Sequence, residues 1–169
     1  MASDEKSTSF VNLVNTHKGI IYKVALAYCK DPDDRNDLIQ EIMIQLWKSF
    51  DNYDDTYKHS TWIYRISLNV AISFYHKETR RKHIANPIHE GLLNYTETYN
   101  NHETEERIQA LQQFIAELKD LDKALMLLYL EEKSYKEIAG IMGMTETNVA
   151  TRISRIKLIL KQKFSSASN

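Results

Sequence analysis

The stretch from Ser134 to Phe164, SYKEIAGIMGMTETNVATRISRIKLILKQKF, admits few folds. Ser134 can cap a helix, and Glu137, three residues on, can reach back to it as a capping box. Ile138, Ala139 and Met142 give that helix an apolar face. Gly143 supplies a break, because glycine tolerates the left-handed backbone that ends a helix. Thr145 then caps a second helix, with Glu146 in its electropositive first turn. Val149, Ile153, Ile156 and Leu160 recur at helical spacing and form one buried stripe. The remainder of that helix is polar or basic, with Arg152, Arg155, Lys157, Lys161 and Lys163. Two helices crossing at a tight turn, the second with a basic outer face, describe a helix-turn-helix that reads duplex DNA. The plainer alternative is an αα-hairpin with a solvated basic face.

A helical wheel orients the second helix. At about 100° per residue, Thr147, Thr151, Ser154 and Arg155 point away from the stripe, toward a groove. Arg152 lies at the border, roughly 70° from the stripe's centre. There its stem packs on apolar neighbours and its head pairs with an acid or a phosphate.

The rest of the chain extends the all-α reading. Its 169 residues contain 4 Gly and 2 Pro, which suits long helices with few turns, and no apolar run has a period of two. The net charge of -1 conceals an uneven distribution. Thr147 to Asn169 holds five Lys or Arg and no acid, whereas Pro87 to Glu106 holds five Glu and no Lys or Arg. A local basic patch is what nucleic acid responds to, so the near-neutral average does not argue against it. The single cysteine, Cys29, excludes an intrachain disulfide. The N-terminus has no signal-peptide pattern, and no stretch reaches transmembrane length. A soluble cytoplasmic protein is the expectation.

In chain order, a helix is expected from about Phe10 to Cys29, with Phe10, Leu13, Val14, Ile21, Val24 and Tyr28 inward and His17 as a packed residue. KDPDDRND breaks it around Pro32. A second helix, about Asp34 to Phe50, carries Leu38, Ile39, Ile42, Met43, Leu46, Trp47 and Phe50, a face wide enough to serve a core and a partner together. The turn-rich DNYDDTYKHST follows. A third helix, about Ser60 to Lys82, turns Trp62, Ile63, Ile66, Val70 and Phe74 inward and carries Tyr64, Arg65 and Asn69 elsewhere. Its end holds the basic cluster Lys77, Arg80, Arg81 and Lys82. Aromatic groups beside cations suit single-stranded nucleic acid, while a solvated helix end also favours cations. From Ile84 to His102 the helical period is lost, which reads as a linker. Helix resumes near Thr104, with Ile108, Leu111, Phe114, Ile115 and Leu118 on one face, and again over Leu121 to Leu130.

Taken together, these segments resemble the extracytoplasmic-function sigma factors of bacterial RNA polymerase. DRNDLIQEIMIQLWKSF is similar to the family's core-polymerase-binding helix, with Asp34, Asp37, Leu38, Gln40 and Glu41 in its pattern and Leu46 and Trp47 beyond. STWIYRISLNVA is similar to the promoter-melting helix, with Trp62, Tyr64, Arg65, Ile66 and Asn69 in place. The helix-turn-helix corresponds to the reader of the minus-thirty-five element. The resemblance implies two helical domains, a sigma-two domain over 1–83 and a sigma-four domain over 104–169, joined by a flexible linker over 84–103.

The same resemblance implies the partners. They are core RNA polymerase through the beta-prime clamp helices and the beta flap, promoter DNA, and an anti-sigma factor. It implies no catalysis, no metal, no cofactor and no small-molecule substrate. The loop Asp51 to His59, with Tyr57, Lys58 and His59, would receive a base flipped from the minus-ten element. Trp62, Arg65, Asn69, Arg80, Arg81 and Lys82 would complete that surface. Thr145, Thr147, Asn148, Thr151, Arg152, Ser154 and Arg155 would face the minus-thirty-five element. Ala150 and Thr151 depart from the Lys or Arg-Ser that the family usually carries there.

Two rival readings differ in class. Asp33, Asp34 and Asp37 fit the DDxxD motif of helical prenyl-transfer enzymes, but such a site needs further carboxylates converging on magnesium, and no second motif exists. A helix-turn-helix regulator would bind duplex operator without core polymerase.

Overall fold

The computed structural model describes residues 2–84 and 102–167, with side chains over 3–77 and 103–167. Seven α-helices and one 3-10 turn make up these residues, and no strand occurs among them. The helices are α1 (Ala2–Tyr28), α2 (Pro32–Ser49), α3 (His59–Ile84), α4 (His102–Ala116), α5 (Asp120–Leu130), α6 (Tyr135–Met142) and α7 (Glu146–Ala167), and the turn is Phe50–Asn52. Of the segment read as a linker, residues 85–101 lie outside the described ones, as do the side chains of Arg80, Arg81 and Lys82.

Helices α1, α2 and α3 pack on one another as an N-terminal half, and α4, α5, α6 and α7 as a C-terminal half. In the first, Ile21, Val24, Leu38, Ile42, Leu46, Ile63 and Leu68 are buried; in the second, Leu125, Leu128, Ile138, Val149, Ile153 and Ile156 are. Each such side chain contributes about 1.5–3 kcal/mol over leaving it exposed. The halves also touch, α3 against α5 and α6, and α1 against α5.

Three local outcomes differ from the sequence expectation. Helix α1 begins at Ala2 rather than near Phe10. Asp4 and Glu5 complement the dipole of its first turn, and Lys6 ties it to the 3-10 turn by reaching Asp51 at 2.6 Å and to α2 by covering the Trp47 ring at 4.4 Å. Pro32 does not merely end a helix but opens the next one. Asp31 caps α2 by accepting from the Asp33 and Asp34 N–H groups, and Pro32 takes the first position, where its missing N–H costs nothing. Helix α3 buries Ile63, Tyr64, Ser67, Leu68 and Ala71, whereas Trp62, Ile66, Val70 and Phe74 are only half-buried. The reason is its position: α1, α2 and the C-terminal half surround it, so it has no single inner stripe.

Candidate polymerase and nucleic-acid interfaces

The turn between α6 and α7 is set by short-range chemistry. The Ser134 hydroxyl accepts from the Glu137 N–H at 3.1 Å, and the Glu137 carboxylate accepts from the Ser134 N–H at 2.8 Å. That backbone hydrogen bond, with smaller help from the Ser134 side chain and from Lys133 and Lys58, holds the Glu137 carboxyl below its ordinary value. Gly143 closes the helix at φ +67° and donates its N–H to Ala139. Thr145 accepts from the Asn148 N–H at 3.2 Å and starts α7. Ile138, Ala139 and Ile141 of α6 face Val149, Ile153, Ile156 and Leu160 of α7 in the core. Ile141 is a member of this face that the sequence reading left out.

With that stripe inside, Thr145, Thr147, Asn148, Thr151, Ser154 and Arg155 are exposed. Thr151 donates to the Thr147 carbonyl, which leaves the outer face compact. Arg152 stands apart from them: its guanidinium lies 3.3 Å from Asp122 of α5. Lys157 covers the Tyr129 ring at 4.1 Å, so part of the basic face is anchored to its own half.

The second surface surrounds the loop between the 3-10 turn and α3. Tyr53 stacks on His59, with ring centroids 5.0 Å apart, and packs against Trp62 at the same distance. Its hydroxyl donates to the Tyr57 carbonyl across the loop. Asp54 accepts from the Thr56 N–H, and that bonding, side chain first, lowers the Asp54 carboxyl below its usual range. An aromatic wall of Phe50, Tyr53, His59 and Trp62 therefore shapes the loop. Tyr53 is its centre and was not singled out from sequence; an aromatic residue among turn formers was the available signal. Tyr57, Lys58, His59 and Asn69 are exposed. Arg65 is not free in this form. Its guanidinium sits over the Tyr57 ring and donates to the Gly140 carbonyl at 2.6 Å.

The third surface is the outer side of α2. Asp37, Gln40, Ile44 and Trp47 are exposed, Trp47 with its edge against Phe10, and Asp34 and Glu41 are half-exposed. Leu38 and Leu46 are fully buried. They hold the helix in place and cannot themselves meet a partner, which corrects their assignment to the docking surface. Ile44 takes their place on the exposed side. His17, as expected, is a packed residue whose Nδ1 meets the Leu13 carbonyl at 3.0 Å. Asp31, Asp33 and Asp34 serve the start of α2, and among the described residues no group of acids, histidines or cysteines is arranged to hold a metal. No described helix is long and apolar enough to cross a membrane.

Comparisons with known proteins follow the same division. The Sigma-70 region 2 family model matches residues 13–81 and the Sigma-70, region 4 model matches residues 108–160. The chain is 27% identical to the ECF RNA polymerase sigma factor SigM of Bacillus subtilis, over 88% of this chain and 91% of that one. It is 29% identical to the ECF RNA polymerase sigma-E factor of Escherichia coli K12, over 77% and 73% of the two chains. In fold it is similar to the sigma factor RpoE of Bartonella quintana, solved with the anti-sigma factor NepR, with a TM-score of 0.74 at 18% identity over 93% and 97% of the chains. Region 2 on α1 to α3, region 4 on α4 to α7 and relatives aligned across both place the chain in one family: it belongs to the extracytoplasmic-function sigma factors of bacterial RNA polymerase.

Proposed function

We propose that this chain binds core RNA polymerase and directs it to a specific set of promoters, acting as a non-catalytic initiation factor in the cytoplasm. The observation that carries this reading is the coexistence, on one chain, of an exposed face on α2 that is not needed for the core and two separate surfaces suited to DNA. On α2, Asp37, Gln40, Ile44 and Trp47, flanked by Asp34 and Glu41, form the docking face for the beta-prime clamp helices. The loop with Tyr53, Tyr57, Lys58 and His59, together with Trp62, Arg65 and Asn69, receives the minus-ten strand, because bases taken out of the stack need a pocket and aromatic faces. Arg80, Arg81 and Lys82 meet phosphates beyond it. Thr147, Asn148, Thr151, Ser154 and Arg155 on α7 enter the major groove at the minus-thirty-five element, while the C-terminal half meets the beta flap. The working units are 1–83 and 104–169. Family members solved with anti-sigma partners make an anti-sigma factor the expected regulator.

The test is copurification with core polymerase. Wild-type chain is expected to copurify, and the triple change Gln40→Ala, Glu41→Ala and Trp47→Ala to abolish it while leaving the helical content intact. Full copurification of the folded triple variant would remove the α2 docking face. Tight binding to duplex promoter DNA without core would favour a helix-turn-helix regulator instead.

A further inference from the structure

Arg65 stands on the helix read as the promoter-melting element, yet its guanidinium is engaged by backbone carbonyls at the end of α6. The orphan carbonyls at a helix C-terminus are natural acceptors for a cation. A guanidinium held there has its Nε and Nη2 donors committed to backbone and not to a nucleic-acid strand. This contact is one end of a longer seam between the two halves.

At the other end, Lys123 of α5 is buried, and lysine is almost never buried without partners. Its ammonium lies 5.1 Å from the centre of the Tyr28 ring and 5.0 Å from that of Tyr75, one ring on α1 and one on α3. Asp120, one turn earlier on α5, completes the clasp. Its carboxylate lies 2.7 Å from His76 Nε2, and its backbone carbonyl accepts the Tyr28 hydroxyl at 2.7 Å. Between the two ends, Lys23 pairs with Glu131 at 2.7 Å and Lys133 covers the Tyr64 ring. These contacts are hydrogen bonds, ion pairs and cations on rings, the character of an interface that opens.

We propose that the free chain is held closed by its own C-terminal half, with Lys123 inserted between Tyr28 and Tyr75 as the clasp and Arg65 captured by α6, so that Arg65 joins the exposed Tyr57, Lys58, His59 and Asn69 of the melting surface only when the seam opens. The closure is one-sided. Thr147, Thr151, Ser154 and Arg155 of α7 remain exposed in the same form, so duplex reading is left open while strand capture lacks its Arg65 contact. Whatever opens the seam must replace what Lys123 and Arg65 lose. A partner that offers a carboxylate to the first and phosphate or carbonyl oxygens to the second would do so. The consequence for DNA rests on the reading of α3 given above; the closure does not.

The experiment uses the full chain without polymerase. Small-angle scattering gives its radius of gyration, and phenylglyoxal modification followed by mass spectrometry gives the reactivity of Arg65 relative to exposed Arg155. A closed chain of this length is expected near ~16 Å, with Arg65 modified about tenfold more slowly than Arg155. Lys123→Glu, which places a like charge beside Asp120, is expected to raise the radius by several ångström and bring Arg65 close to Arg155 in rate. His76→Gln, at an exposed position, should produce a smaller shift in the same direction and guards against misfolding of the first variant. An expanded wild-type chain with Arg65 as reactive as Arg155 would overturn the closure, as would two folded variants indistinguishable from wild type. Scattering is independent of core copurification, so failure of the closure and failure of the polymerase reading remain separate results.

Discussion

Helices α3 and α7 both belong to surfaces assigned to DNA, but they are built on opposite plans. Helix α7 keeps one apolar stripe, Val149, Ile153, Ile156 and Leu160, and turns a continuous polar face to solvent. Helix α3 is surrounded, and its inward residues Ile63, Tyr64, Ser67, Leu68 and Ala71 sit among half-buried aromatic and aliphatic neighbours. On the proposed function, the difference matches two tasks. A duplex groove accepts a rigid helix as it stands, so the reading face can be complete before DNA arrives. A flipped base needs a shaped pocket, and on the proposed reading the packed Tyr53, His59 and Trp62 rings would supply one at the cost of a simple amphipathic pattern. The first surface is ready-made; the second has its cation, Arg65, already occupied.

The largest expected effect tests the rigidity of α7. Ile153 is fully buried at the crossing of the helix-turn-helix. Ile153→Ala should cost about 2–5 kcal/mol through the cavity it leaves. Thermal unfolding followed by circular dichroism should show the C-terminal half melting first, with the N-terminal half retained. A single cooperative loss of both halves would mean that the seam is stronger than its polar contacts suggest.

The next effect separates two arginines on that helix. Arg155→Ala should weaken holoenzyme binding at the minus-thirty-five element by about 1–3 kcal/mol if Arg155 reads a guanine, and should relax sequence preference there. Arg152→Ala should instead lose a partly exposed pair with Asp122, about 0–1 kcal/mol of stability, with no change in preference. Melting curves and binding to promoters with scrambled minus-thirty-five elements give both readings. Reversed roles would mean that α7 presents a different side to the groove.

A third change addresses the turn that orients α7 against α6. Gly143 has φ +67°, and a Cβ there meets no atom within 4 Å, so any penalty for alanine is backbone strain rather than collision. Gly143→Ala should cost about 1–2 kcal/mol. Urea denaturation is the check, and a neutral result would show that the turn shifts to another conformation.

The same contrast explains what could be read in advance. Capping box, glycine stop and buried stripe of the helix-turn-helix all lie within one short window, and local chemistry decides each of them. The inner face of α3 was misplaced because a helix packed on several sides leaves no single period to find. The expectation of Leu38 and Leu46 on the docking surface has a related origin: a wide apolar face does not say which of its edges meets the core. Residues of the seam were invisible for a different reason. Tyr28 and Asp120 are far apart in the chain, and no pattern announces that they will meet. Lys123 carries no sequence mark of its burial, which the fold alone decides.

The smallest effect is a pH dependence confined to the ready-made surface. Glu137 lies at the start of α6, and its carboxyl is lowered first by the Ser134 backbone N–H. Because the folded value is below the unfolded one, the contribution to stability is fully present above the ordinary 4.5 and is lost as pH falls through the folded value. The carboxyl is highly exposed, so solvent screens most of this effect. Glu137→Gln keeps a capping-box side chain without the charge. Its melting temperature should therefore fall slightly below wild type at neutral pH and converge on it in acid. The α3 surface offers a contrasting control. Asp54 is also lowered, by Thr56, but it lies in the loop between the 3-10 turn and α3, so Asp54→Asn should alter the acid response of the N-terminal half alone. If Glu137→Gln instead shifted the N-terminal half as well, Lys58, whose charge acts on Glu137 from that half, would be coupling the two surfaces that the comparison keeps apart.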